Sequence, residues 1–173
     1  LGSLNIIEKY EARLVDYERV IQVNKDKDNN IALNMSFRAY EKYKSSYLFY
    51  SYSLYALRDK KYADLQILVN DIDASDSSIK KDADYWVIKS TLYTHSGDIK
   101  GAKKALQKAL KLKPDSLQTQ LTAITLYMDN NMNDELRVLL QKLEENPKVT
   151  GSLYYVLASS YLYISDINKA SFY

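Results

Sequence analysis

The chain has 173 residues, enough for one domain with a real core or for a short repeat array. Its 24 basic and 22 acidic residues leave a formal net charge of +2, a balance that argues against a dedicated nucleic-acid binder, and the absence of cysteine excludes disulfides, thiol catalysis and thiolate metal sites. With only 4 glycines and 2 prolines there are too few turn-formers for an all-β fold, so the composition points to helices joined by short turns.

The start, Leu1-Gly2-Ser3, is not a natural one and resembles a cloning remnant, so a fragment of a longer protein is expected. No apolar run of about 18 residues occurs, so no membrane-spanning segment is expected. No signal peptide is visible, which leaves cytoplasmic and periplasmic locations both open. Abundant Lys, Asn, Ile and Tyr point to an A/T-rich bacterial source. The first helix runs from about Leu4 to Asn24, with Ile6, Ile7, Tyr10, Leu14, Tyr17 and Ile21 as its apolar stripe. A second follows from about Asn30 to Lys44, and residues 1–45 form either a further hairpin or a capping element. From 46 to 79 comes a weaker unit.

The stretch Ala83–Ser116 is the clearest. Trp86, Ser90 and Tyr93 fall at helical spacing on one face, and Ala102, Ala105, Leu106, Ala109 and Leu110 form a second stripe. Gly97 ends the first helix, Asp98 caps the next and Pro114 stops it. At an offset of 68 residues Trp86 matches Tyr154, Tyr93 matches Tyr161 and Ala102 matches Ala170. Half that offset is 34, and the unit midway, Leu117–Thr150, carries Tyr127 in the slot of Tyr93. The last unit, 151–173, fits through Tyr154, Leu157, Ala158, Tyr161 and Ala170 and stops inside its second helix.

These residues resemble the tetratricopeptide repeat family, whose period is about 34 residues. Counted from Ala83, Trp86, Ser90, Tyr93, Gly97, Ala102, Leu106, Ala109 and Pro114 stand in the family's characteristic slots, and Lys89 departs from the usual leucine. The resemblance implies an all-α chain, a right-handed α-solenoid of antiparallel helical hairpins. In that register 46–79 is a degenerate repeat with Phe49 and Leu65 in key slots, and Lys61-Tyr62-Ala63-Asp64 resembles the start of its second helix. Three extra residues then precede the near-consensus 83–116. The divergent 117–150 has Ile124 and Leu136 where small residues are usual, with Pro147 one place early, and 151–173 is truncated.

Catalytic material is scarce. His95 is the only histidine and reads as a surface residue near a helix end. Asp71, Asp73, Ser75 and Asp82 meet part of a calcium-loop template, but its glycine is replaced by Asp76 and no closing Glu follows, so they read as a polar connector. Asn34-Met35-Ser36 is a glycosylation triplet inside a helix, and Lys103, Lys104, Lys108 and Lys111 read as a solvated face. No catalytic residue, metal ligand or cofactor is expected.

The family resemblance implies instead a concave groove lined by the first helix of each hairpin. Its slots fall on Tyr47, Tyr50, Leu54 and Arg58, then on Asp84, Val87, Thr91 and His95. They continue on Gln118, Leu121, Thr125 and Asp129, and end on Ser152, Tyr155, Ser159 and Tyr163. The Lys and Asn with which chaperone-binding members grip a carboxylate are absent from them. The expected groove set is Tyr50, Asp84, Val87, Thr91, His95, Leu121, Thr125, Tyr155 and Ser159, an apolar, hydroxyl-rich surface for an extended segment or a helix of another protein. About half of the 17 tyrosines are expected to pack between repeats. The expected function is a non-catalytic adaptor or assembly scaffold. The alternatives are an RNA-binding helical repeat, a scaffold segment of a larger secretion or envelope complex, and self-association through the C-terminal repeat.

Overall fold

The computed structural model describes residues 12–145 and 151–173, with the side chains of 151 and 152 set aside. It falls into two compact units, Leu1–Ile88 and Lys89–Tyr173. The first holds α1 (Leu14–Asn24), α2 (Asn29–Tyr43), α3 (Ser46–Arg58), α4 (Tyr62–Ala74), a 3-10 turn (Ser78–Lys81) and the start of α5 (Ala83–His95). The second holds the rest of α5, then α6 (Ile99–Leu112), α7 (Leu117–Asp129), α8 (Asn133–Glu144), α9 (Gly151–Tyr163) and α10 (Ile167–Phe172). Every regular element among the described residues is helical, and no helix there is long and apolar enough to cross a membrane.

The joints inside the hairpins share one geometry. Lys60, Gly97, Asn131 and Ser165 each sit at positive φ, at 57°, 81°, 53° and 60°. From Gly97 onward they follow at intervals of 34 residues. After each of them the next amide bonds back five residues, as in Asp98 to Tyr93 O at 2.9 Å, Met132 to Tyr127 O at 2.8 Å and Asp166 to Tyr161 O at 2.8 Å. This is the Schellman closure, in which one left-handed residue satisfies the last carbonyls of a helix. Glycine takes that conformation freely at 97 and asparagine tolerates it at 131, whereas Lys60 and Ser165 must be held there by packing. The residue that completes the turn then starts the following helix: Asp98 accepts from the Gly101 amide at 2.9 Å, and Asp166 from that of Lys169 at 3.2 Å.

The expected helices lie where the sequence places them, with differences of local cause. The part of the first helix before residue 12, with Ile6, Ile7 and Tyr10, and also Pro147, lie outside the described residues. Asp71 and Asp73 are not in a connector, because α4 continues to Ala74. Val69 and Ile72 are buried and carry the helix past the acids. The three residues between the first two repeats extend a 3-10 turn that buries Ile79.

In the first unit the core is aromatic. Tyr40, Phe49, Tyr85 and Trp86 form a chain of rings with centroids 6.0, 6.0 and 5.2 Å apart. Phe49 is fully buried, and of the last two rings Tyr85, rather than the slot residue Trp86, is the fully buried one. Its hydroxyl donates to Asp73 at 2.6 Å, while the half-buried Trp86 donates its indole N–H to Lys80 O at 2.8 Å. Buried aromatics with a polar tip need such partners.

In the second unit the core is mainly aliphatic: Leu106, Ile124, Leu136, Leu140 and Leu157 around Tyr127 and Tyr161. Small residues in the expected slots, Ala102 and Ser90, are both buried. Ion pairs tie each second helix to the following hairpin. Lys103 meets Glu135, Arg137 lies 3.7 Å from Asp166, and Lys169 reaches Glu144 at 2.8 Å. Around the last pair, burial opposes the Glu144 carboxylate, but hydrogen bonds from Lys169, Tyr161 and Tyr173 outweigh it and hold its pKa below the usual value. Burial and the bond to Glu144 push Tyr161 up to about 12. Glu144 raises the Lys169 pKa in return.

Candidate functional site

An interaction surface is built from side chains that a fold positions but does not use. The first helices are rich in them, and each unit is taken separately. In the first unit, α3 buries Leu48, Phe49, Tyr52, Ser53, Tyr55 and Ala56, and so turns Tyr47 and Leu54 outward, 48% and 64% exposed. Tyr50 is half-buried against the Phe49 ring and donates its hydroxyl to Asp82 at 2.8 Å. Burial, with that bond, lifts its phenol pKa far above the ordinary value, so it acts as a neutral donor. Asp84 is half-buried at the start of α5. Val87 is only 9% exposed and offers little surface.

Arg58 occupies a groove slot in sequence, yet its guanidinium donates to Lys25 O at 3.1 Å and to the Asn29 side chain. It ties α3 to the turn between α1 and α2. Tyr163 does the same in the second unit, donating to Met128 O and to Asn131 Oδ1 at 3.0 Å. These two side chains are joints of the array. No sequence signal separates a joint from a lining residue at that slot, because the partner atom is a carbonyl of another hairpin.

In the second unit the Tyr163 bond places α7 beside α9. The helix bearing Leu121 and Thr125 thereby lies next to the helix bearing Tyr155 and Ser159. Leu121 is half-buried, Thr125 exposed, Tyr155 77% exposed and Ser159 half-buried. Thr125 donates its hydroxyl to Leu121 O at 3.0 Å and Ser159 to Val156 O at 3.1 Å, which leaves their oxygens as acceptors for a ligand. Thr91 is half-buried, and His95 is exposed at the end of α5. Leu162, 60% exposed, belongs with these residues and was not singled out by slot alone. It sits seven residues after Tyr155, two helical turns along α9.

Charge is nearly absent from these faces. Helix α9 has none, α7 has only Asp129 and α3 only the engaged Arg58. Such surfaces can bury apolar or aromatic contacts without desolvating an ion. No group of acidic or histidine residues that would hold a metal ion occurs among the described residues.

Comparison with known proteins agrees with this architecture. The model of the tetratricopeptide repeat family matches residues 1–173. The crystal structure of YrrB, a TPR protein with an unusual peptide-binding site, superposes with a TM-score of 0.62 at 15% identity, covering 98% of this chain and 87% of that one. A tetratricopeptide repeat protein from Parabacteroides merdae superposes with a TM-score of 0.70 at 13% identity, covering 98% of this chain and 67% of that one. At these identities the likeness is one of fold. No curated protein matches the chain by sequence.

Proposed function

Because this chain belongs to the tetratricopeptide repeat family, we propose that it is a non-catalytic adaptor that holds an uncharged segment of a partner protein against the first helices of its hairpins. Members of this family serve in general as protein-interaction modules, and YrrB carries a peptide-binding site on the same fold. The observation that carries the reading is the pairing of α7 with α9. Two adjacent helices there expose Tyr155, Leu162 and Thr125 with Asp129 as their only charge. Tyrosine gives such a surface a large contact area and a hydrogen-bonding tip at low entropic cost.

Affinity capture from the protein's own cells tests it. Wild type should retain a partner that Tyr155→Arg with Leu162→Arg loses by about tenfold or more, the size expected when an exposed apolar anchor is replaced by a charge. Both residues are exposed, so the fold tolerates the change. Equal capture of every partner by the double variant would overturn the proposal. A second reading, self-association through the last hairpin, is favoured by Ile167 and Phe172, 70% and 81% exposed. Sedimentation of wild type beside Phe172→Lys separates the two readings.

A further inference from the structure

A second surface lies away from the first-helix faces. In the first unit, α2 and α4 enclose a hollow of about 380 Å³. Phe37 and Ile67 stand in it and both are exposed to solvent, by 40% and 63%. Phe37 is held in place by the Tyr52 ring, 5.3 Å away. Glu41, Asp64 and Asp71 rim the hollow against a single base, Lys61. The neighbouring bases are engaged: Arg38 on α2 is not free, Lys42 donates to Ala12 O at 2.8 Å, and Lys44, just after the helix, pairs with Glu41 at 2.9 Å, which leaves Asp64 and Asp71 as the carboxylates open to a partner. Along α4 the charges are Asp64, Asp71 and Asp73, with no base among them. Asp73 is engaged by Tyr85, whereas Asp64 and Asp71 make no ion pair among the described residues.

We propose that this hollow docks a short basic amphipathic helix of a partner protein. Asp64 and Asp71 are seven residues apart on one helix, roughly 10 Å along its axis. A partner helix whose Lys or Arg residues are also seven apart meets both. A large apolar side chain three or four residues after the first base then falls onto Phe37 and Ile67. The apolar contact supplies affinity, and the carboxylates set direction and reject acidic segments. A second copy of this chain fits poorly. Its lysine-bearing α6 buries Ala102, Ala105, Leu106 and Ala109 in its own unit and packs Leu110 against the same core, so that its one exposed leucine, Leu112, lies beyond Lys104 and Lys111 rather than between them.

The test uses the whole chain and a labelled synthetic helix with leucine between lysines seven apart, followed by fluorescence anisotropy. The same peptide with glutamates in place of lysines is the counter-probe. The lysine peptide should bind about tenfold or more tightly than the glutamate peptide, and the difference should shrink as salt rises. Asp64→Lys with Asp71→Lys should weaken it by about tenfold or more, Ile67→Asn should weaken it at unchanged salt dependence, and Tyr155→Arg in the other unit should leave it unaltered. All these positions are exposed, so circular dichroism should show each variant folded. Equal binding of both peptides, or of wild type and the Asp64/Asp71 variant, would overturn the proposal. So would a dimer that Ile67→Asn dissociates.

Discussion

Helices α7 and α9 carry one charged residue between them, Asp129, whereas the neighbouring second helices α6 and α8 carry charges at almost every turn. Both kinds of helix bury an apolar face: Ala102, Leu106, Leu136 and Leu140 on the second helices meet Ile124, Tyr127, Leu157 and Tyr161 on the first. The difference is in what they expose. On α6, Lys104, Lys108 and Lys111 stand in water, while on α9 the outward residues are Tyr154, Tyr155 and Leu162. Exposed apolar and tyrosine side chains cost solubility when they gather in a patch, and such patches mark interaction sites. The exception is α5, whose Asp84, Lys89 and His95 interrupt the uncharged series.

If both kinds of helix support the fold equally, truncating the buried core on either side should cost alike. Leu140→Ala on α8 and Leu157→Ala on α9, both fully buried, should each lose about 2–5 kcal/mol in urea unfolding. A much smaller loss at Leu157 would reduce α9 to an appendage and break the comparison.

Glu144→Gln sharpens the charged side. Lys169 is 41% exposed and Glu144 20%, so solvent screening limits the loss to about 1 kcal/mol. The Glu144 pKa is lowered from 4.5, so its contribution is present above that value and is lost as pH falls through the folded value. The Lys169 pKa is raised from 10.5, so its contribution is present below that value and is lost as pH rises through the folded one. Wild type and variant should therefore differ by a constant amount between about pH 5 and 10 and converge outside that window.

The turns should read out more weakly. Gly97→Ala meets open space, so its cost, about 1 kcal/mol, comes from the left-handed backbone alone. Ser165→Gly, at the equivalent turn, should be neutral or stabilising by up to about 1 kcal/mol. Opposite signs at two equivalent joints would show that the repeat geometry, and not local sequence, sets the backbone there. Smallest of all, Leu54→Lys and Leu162→Lys should change stability by about 0.5 kcal/mol or less, as exposed sites do.

The hairpin from Ala83 to Ser116 was legible because its period-setting residues are local: Gly97, Asp98 and Pro114 act on the chain within a turn of themselves. The turns at Lys60 and Ser165 were not, since these residues adopt positive φ only when flanking helices impose it. The accessible face of the first helices was partly legible. Slot counting pointed to Tyr155, Thr125 and Ser159, which the fold leaves at least partly exposed, but it could not separate the exposed Leu54 from the joint-forming Arg58, or Tyr155 from the buried Val87. That distinction depends on what the neighbouring hairpin brings, and a single helix does not encode it.

Site-specific photocrosslinking tests the account most directly. A benzophenone amino acid placed in turn at Leu54, Leu162, Lys104 and Lys108, followed by irradiation in the protein's own cells, reports which face touches a partner. The account predicts crosslinks to a partner protein from Leu162 and, as a separate test of the first unit, from Leu54, with none from Lys104 or Lys108. Crosslinks confined to the two lysine positions would contradict it.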